Sequence, residues 1–159
     1  MNLKKKITII VLVTFFIDQL IKFLVVRNLT YFSVIPGVLS FVYAKNEGVA
    51  FSMFWGSRWF IIILSFLLLF FLMWVIKKEY LINNKNDNFK NVTFGFLIGG
   101  ILGNLFDRLF RGYVVDYVSI LLFGYSFPIF NLADVLITTG VIFMIICSIL
   151  DDKKKKLTT

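Results

Sequence analysis

The sequence predicts an all-α membrane protein: four transmembrane helices with a small extracytoplasmic β element, in a single domain over residues 1–159. Three observations carry this expectation. Hydrophobic residues make up 59% of the chain and mean hydropathy is +0.88, against roughly 45–50% apolar residues in soluble domains. The apolar residues gather into four runs close to the roughly 20 residues that a bilayer-crossing helix needs. Eleven of the 17 cations flank those runs: Lys4 to Lys6, then Lys77, Lys78, Lys85 and Lys90, then Lys153 to Lys156. A net charge of +8 on a globule would suit nucleic acid, but cations placed this way are a membrane pattern, so no nucleic-acid partner is expected.

The first run, about Ile7 to Val26, contains Asp18, Gln19 and Lys22. A signal peptide also opens with lysines before an apolar stretch. Here no small-x-small cleavage site follows and apolar residues resume after Lys22, so the segment is expected to remain as a membrane helix. The connection after it, about 28–57, is too long for a turn. Val34 to Tyr43 is β-branched and aromatic around Pro36-Gly37, which predicts a small strand element. The second run, about Trp59 to Ile76, carries no charge; Trp55 and Trp59 at one end and Trp74 at the other read as interface anchors.

The third run, about Asn91 to Phe110, bears Asn104, Asp107 and Arg108 toward its end. Gly99 and Gly103 form a GxxxG pair that permits close helix packing. The stretch Ile120 to Phe130 is apolar but broken by Gly124 and Pro128, and is expected to lie at the membrane interface. The fourth run, about Ile129 to Leu150, starts with Asn131 and Asp134. Four spans put both termini on one side. The positive-inside rule makes that side cytoplasmic, so 28–57 and 111–128 lie outside.

This orientation gathers Asp18, Lys22, Asn104, Asp107, Arg108, Asp116, Asn131 and Asp134 in the outer half of the bilayer or just beyond it. Ionisable residues at that depth cost up to roughly 2.5–3.5 kcal/mol each, and such a cluster is a functional candidate. Bland explanations exist for most. Asp18 and Lys22 are spaced i, i+4 and can neutralise each other, as can Asp107 and Arg111. Asp116 and Asp134 have no cation three or four residues away. They are the outstanding pair, unless Asp134 merely caps the fourth helix and Asp116 is solvated.

The chain contains no His and one Cys, Cys147, which removes His-dependent nucleophilic catalysis, HExxH zinc sites and an internal disulfide. No metal or cofactor is expected. Two neighbouring carboxylates can share a proton, one activating water while the other polarises a carbonyl, which is aspartic peptidase chemistry. The same pair could instead carry ions or protons, and residue chemistry alone leaves both classes open.

Five ordered motifs narrow the choice. They are Asp18-Gln19-x-x-Lys22; Asn46-Glu47-Gly48-Val49-Ala50-Phe51; Gly99-Gly100-x-x-Gly103-Asn104-x-x-Asp107-Arg108; Gly112-Tyr113-Val114-Val115-Asp116-Tyr117; and Phe127-Pro128-x-Phe130-Asn131-x-Ala133-Asp134. Together they resemble the lipoprotein signal peptidase (signal peptidase II) family, with Tyr117 where that family commonly has Phe. The resemblance implies a multi-pass bacterial cell-membrane aspartic endopeptidase. Its substrates would be diacylglyceryl-modified prolipoproteins, cut before the lipidated Cys, with the active site toward the outer face. It implies Asp116 and Asp134 as the catalytic dyad. Asn46, Gly48, Asn104, Arg108 and Asn131 would line the site, with Asp18, Lys22 and Asp107 in support. Membrane lipids are the other expected partner, and the protein is expected to act as a monomer. The rivals are a small carboxylate-based transporter, against which the one-level clustering argues, and a non-catalytic subunit that binds lipid-anchored proteins.

Overall fold

The computed structural model describes residues 3–48, 57–83 and 87–158. Four long helices form α1 (Leu3–Asn28), α2 (Arg58–Asn83), α3 (Asn88–Phe110) and α4 (Leu132–Thr158). Each contains an apolar stretch long enough to cross a membrane. The helices continue past those stretches into lysine-rich sequence because Lys is itself a good helix former. At the end carrying both termini, Lys6 Nζ donates to Asn88 Oδ1 at 2.8 Å, and Lys90 pairs with Asp151 at 2.6 Å.

Helix α3 is the core of the bundle: 72% of its apolar window is buried, against 17% in each of the other three. Its glycines explain why. A Cβ at Gly103 would stand 2.5 Å from Asp18 Oδ2 of α1, and one at Gly100 would stand 2.6 Å from the Ala133 carbonyl of α4. Small residues therefore let both α1 and α4 approach α3 closely. Among the described residues α2 packs on α3 and makes at most slight contact with α4. Arg58 fastens the start of α2 to the end of α3. Its Nε donates to the Arg108 carbonyl at 2.7 Å and its Nη2 to the Leu109 carbonyl at 3.0 Å, satisfying carbonyls that a helix end leaves open.

A four-stranded antiparallel sheet sits over that end of the bundle, in the order β1 (Tyr31–Ile35), β2 (Leu39–Asn46), β3 (Val114–Leu122), β4 (Tyr125–Ser126). This extends the sequence expectation, which confined strands to the first connection and gave Ile120 to Phe130 no regular structure. That stretch instead completes β3 and forms the short β3–β4 hairpin. Val118 also bridges to Phe130 just before α4. The first half of β3 is buried, with Val115 and Tyr117 packed against Val25 of α1. Cys147 is half-buried on α4.

Candidate active site

Four elements converge where β3 crosses the ends of α1, α3 and α4. Helix α3 ends at Arg111, and Gly112, at φ +89, takes the left-handed turn that redirects the chain into β3. Four residues later Asp116 is buried, with 2% of its surface exposed. It is therefore not the solvated carboxylate that a loop position would have given. Asn46 at the end of β2 donates Nδ2 to Asp116 Oδ2 at 2.8 Å, and Asn131 donates Nδ2 to Asp116 Oδ1 at 2.6 Å.

Asp134 lies in the first turn of α4 and serves as part of its cap. The Asp134 amide donates to Asn131 Oδ1 at 3.0 Å, and the Asn131 amide donates back to Asp134 Oδ2 at 3.1 Å. This reciprocal pair is a capping box with Asn and Asp in the two roles. The other carboxylate oxygen accepts Asn104 Nδ2 at 2.8 Å. Three asparagines thus hold the two carboxylates. Asn131 also donates to Asn104 Oδ1 at 3.2 Å, tying the two sides together.

Below the asparagines lies an ionic cluster. Asp18, Lys22 and Asp107 have fully buried side chains. Lys22 Nζ contacts Asp18 Oδ2 at 2.9 Å, Asp107 Oδ2 at 3.1 Å and Asn104 Oδ1 at 2.9 Å, which uses all three of its protons. Because Lys22 takes the oxygen of the Asn104 amide, the nitrogen is the end left to face Asp134. Asp107 pairs with Arg111 and accepts the Val115 amide at 3.1 Å. Asp18 accepts the Ala133 amide at 3.1 Å. Gln19, which was not among the expected site residues, donates to Asp107 at 3.3 Å and accepts from Arg111 at 2.9 Å. Its place in the first motif was its only sequence signal.

Arg108 Nη2 donates to the Gly48 carbonyl at 2.7 Å, so this pair joins α3 to the segment after β2. All ten expected site residues fall within this one region. Val49, Ala50 and Phe51 of the second motif, with Trp55 and Lys85, lie outside the described residues.

A cleft of about 400 Å³ opens beside the carboxylates, between α2 and α4 with α3 as its floor. Asn46, Asn104, Arg108 and Asp134 line its polar part; Leu64, Leu68, Ile101 and Ile137 line its apolar part. Asp116 stands behind Asn46 rather than on the lining. Burial, and then the charge of Asp134, push the Asp116 carboxyl up to about 6, against the pull of the Asn46 and Asn131 hydrogen bonds. Burial likewise pushes the Tyr117 hydroxyl up to about 12, and its oxygen accepts the Leu132 amide at 3.1 Å. Among the described residues no three His, Cys, Asp or Glu side chains group as metal ligands.

The chain as a whole is similar to known proteins. The family model described as signal peptidase (SPase) II, Peptidase_A8, matches residues 10–150. A solved structure described as a bacterial membrane enzyme, determined by the in meso method at 2.3 Å resolution, is 32% identical with a TM-score of 0.81; the match covers 94% of this chain and 90% of that one. A second, so described at 1.9 Å resolution, is also 32% identical with a TM-score of 0.75, over 89% of this chain and 90% of that one.

Proposed function

Because the chain belongs to the signal peptidase II family, whose members process lipoprotein signal peptides, we propose that it is an aspartic endopeptidase acting on diacylglyceryl-modified prolipoproteins, with Asp116 and Asp134 as its dyad. The observation that carries this reading is an asparagine-held Asp134 at the polar end of an apolar cleft, with a second asparagine-held carboxylate, Asp116, behind Asn46 of the lining. A lipid-anchored signal helix slides between α2 and α4 from the bilayer. Its apolar body lies against Leu64, Leu68 and Ile137, and its scissile bond, just before the lipidated Cys, comes level with Asp134. The sheet end faces outward, and both termini are cytoplasmic.

The chemistry follows from the environments of the two carboxyls. Burial raises the Asp116 carboxyl toward 6, which suits it to the proton-donating role, and Asp134, on the cleft lining, takes the role of general base. Asp134 takes a proton from water as the water oxygen bonds to the peptide carbonyl carbon. Asp116 gives its hydrogen bond to the carbonyl oxygen as that oxygen gains charge. The tetrahedral intermediate then loses the Cys amine, which leaves with a proton from the dyad. Asn46 covers Asp116 in the resting enzyme, so the substrate carbonyl must displace its amide from Oδ2. Asn104 and Asn131 hold the two carboxylates in register.

The test is a gel-shift cleavage assay with a diacylglyceryl-modified prolipoprotein, its unmodified precursor, and the Asp116→Asn and Asp134→Asn variants in detergent. Cleavage of the lipidated form alone, abolished in both variants, is expected. Substantial turnover by either variant would remove that residue from the dyad. A folded wild type that cleaves neither substrate would overturn the peptidase reading.

A further inference from the structure

The sheet has a charged end over the dyad and an end with no charge. No Asp, Glu, Lys or Arg occurs between Asn28 and Ala44, or between Tyr117 and Ala133. The register brings the uncharged turns of both segments together: Leu39 pairs with Ile120, and the Leu121 amide donates to the Val38 carbonyl at 2.8 Å. The Pro36-Gly37 turn and the Phe123-Gly124 turn therefore form one tip.

Apolar side chains are exposed on both faces of that tip, with Ser126 the exposed polar exception on β4. Successive residues of a strand point to opposite faces. Leu121 and Leu122 are both exposed, as are Val34 and Ile35, and Tyr31 and Phe32. A protein partner covers one face of a sheet; a tip that is apolar on both faces and at its end fits a medium that surrounds it. Exposed apolar residues on α1, Phe23, Leu24 and Val26, resume in β1 at Tyr31 and Phe32 after the exposed polar helix end at Arg27 and Asn28, so the tip carries a second apolar surface beyond that of the bundle.

Phe123 sharpens the point. It is 108% exposed and sits at φ +51, a left-handed position that Asn or Gly fills without strain in a two-residue hairpin turn. An aromatic ring there violates the local rule and gains no contact within the chain. From these observations we infer that the β1–β2 and β3–β4 tip is a lipid-inserting wedge, seated at the headgroup–acyl boundary of the leaflet on the sheet side, with Phe123 as its leading residue. Phe123 lies seven residues beyond Asp116 on the same chain, about 23 Å at strand rise, so the wedge steadies the far end of the strand that carries Asp116.

The test uses the full chain in phosphatidylethanolamine–phosphatidylglycerol liposomes. In a Cys147→Ser background, Phe123→Cys and, separately, Glu47→Cys carry an environment-sensitive fluorophore. Glu47 is exposed beyond the charged end of β2 and serves as the reference. At position 123, quenching by lipids bearing a shallow nitroxide should exceed quenching by aqueous iodide several-fold, with the order reversed at position 47. Iodide quenching at position 123 equal to that at position 47 would overturn the proposal. So would protection at position 123 that disappears as protein is diluted in lipid, because a second copy would then be the occupant. Phe123→Asn separates anchoring from folding. Its melting temperature in detergent should match or exceed wild type, while a fluorophore at Tyr125→Cys in that background loses at least half its lipid quenching. Unchanged lipid quenching would remove Phe123 from its leading role.

Discussion

Asn131 and Asp134 exchange hydrogen bonds through backbone and side chain in both directions, at 3.0 and 3.1 Å. One carboxylate thus closes the first turn of α4 and faces the cleft. The cap and the proposed catalytic role of Asp134, alternatives at the level of sequence, do not exclude each other, because the carboxylate that caps the helix also lines the cleft. A helix cap is also a rigid mount for a reactive group, because its position is fixed by the backbone it caps.

Stability and activity at position 134 should therefore separate. Asp134→Asn retains one acceptor oxygen for the cap, and Asp134→Ala retains none. Both should abolish cleavage. The Ala variant should lose about 1–2 kcal/mol more than the Asn variant, measured by thermal unfolding in detergent. Equal melting temperatures for the two would show that the exchange carries no stability.

Asp116 should make both stability and activity depend on pH. Its folded value of about 6 lies above the ordinary 3.8. Stability from the protonated carboxyl is therefore full below about 3.8 and lost as pH rises through about 6. Asp116→Asn should melt a few degrees above wild type at pH 8, with the gap closing toward pH 4. For cleavage, kcat/KM should fall with rising pH on a limb near 6, because that ratio reports the free enzyme. A flat profile from pH 5 to 8 would reassign the proton.

Lys22 separates two buried carboxylates and orients Asn104. Lys22→Met should cost about 3–5 kcal/mol, since it leaves buried Asp18 without a cation and close to Asp107, which keeps Arg111. Adding Asp18→Asn to that variant should recover part of the loss. If the double variant is no more stable than the single one, charge imbalance is not the cause.

Gly103→Ala should loosen α1 from α3. The added methyl would lie 2.5 Å from Asp18 Oδ2, inside contact distance, and the carboxylate is held on its other side by Lys22. A loss of about 1–3 kcal/mol is expected, with reduced cleavage because the Lys22–Asn104 contact shifts with α1. Wild-type melting and turnover would mean that α1 can yield without disturbing Asn104.

Much of this was legible in the sequence, and the exceptions share a cause. Helices follow from local runs, and the Asp18–Lys22 and Asp107–Arg111 pairs follow from i, i+4 spacing. Strand β3 carries only a weak sequence signal, although Val114, Val115, Val118 and Ile120 have β character, because its partner β2 lies about 70 residues upstream. Gly124 and Pro128, which suggested broken structure, mark a hairpin turn and the approach to α4. The contacts of Arg58 with the end of α3, and of Gln19 with Asp107 and Arg111, carry no spacing signal at all. They exist only once the helices are assembled.

The Asp18–Lys22 pair has a consequence for biogenesis. Synthesis delivers α1 to the bilayer long before α3 emerges, so Asp107 is absent when Lys22 first meets lipid. Spaced one turn apart and 2.9 Å from each other, Asp18 and Lys22 let α1 enter as a neutral helix. Asp107 arrives on α3 with Arg111 already in reach. Helices α1 and α3 thus each bring a counter-ion for these aspartates, and assembly adds the Lys22–Asp107 contact to the two pairs already formed. In a translocon-insertion assay of α1 alone, Asp18→Ala or Lys22→Ala should insert less well than the double variant; single variants that insert as well as the double would show that the pair plays no part before assembly.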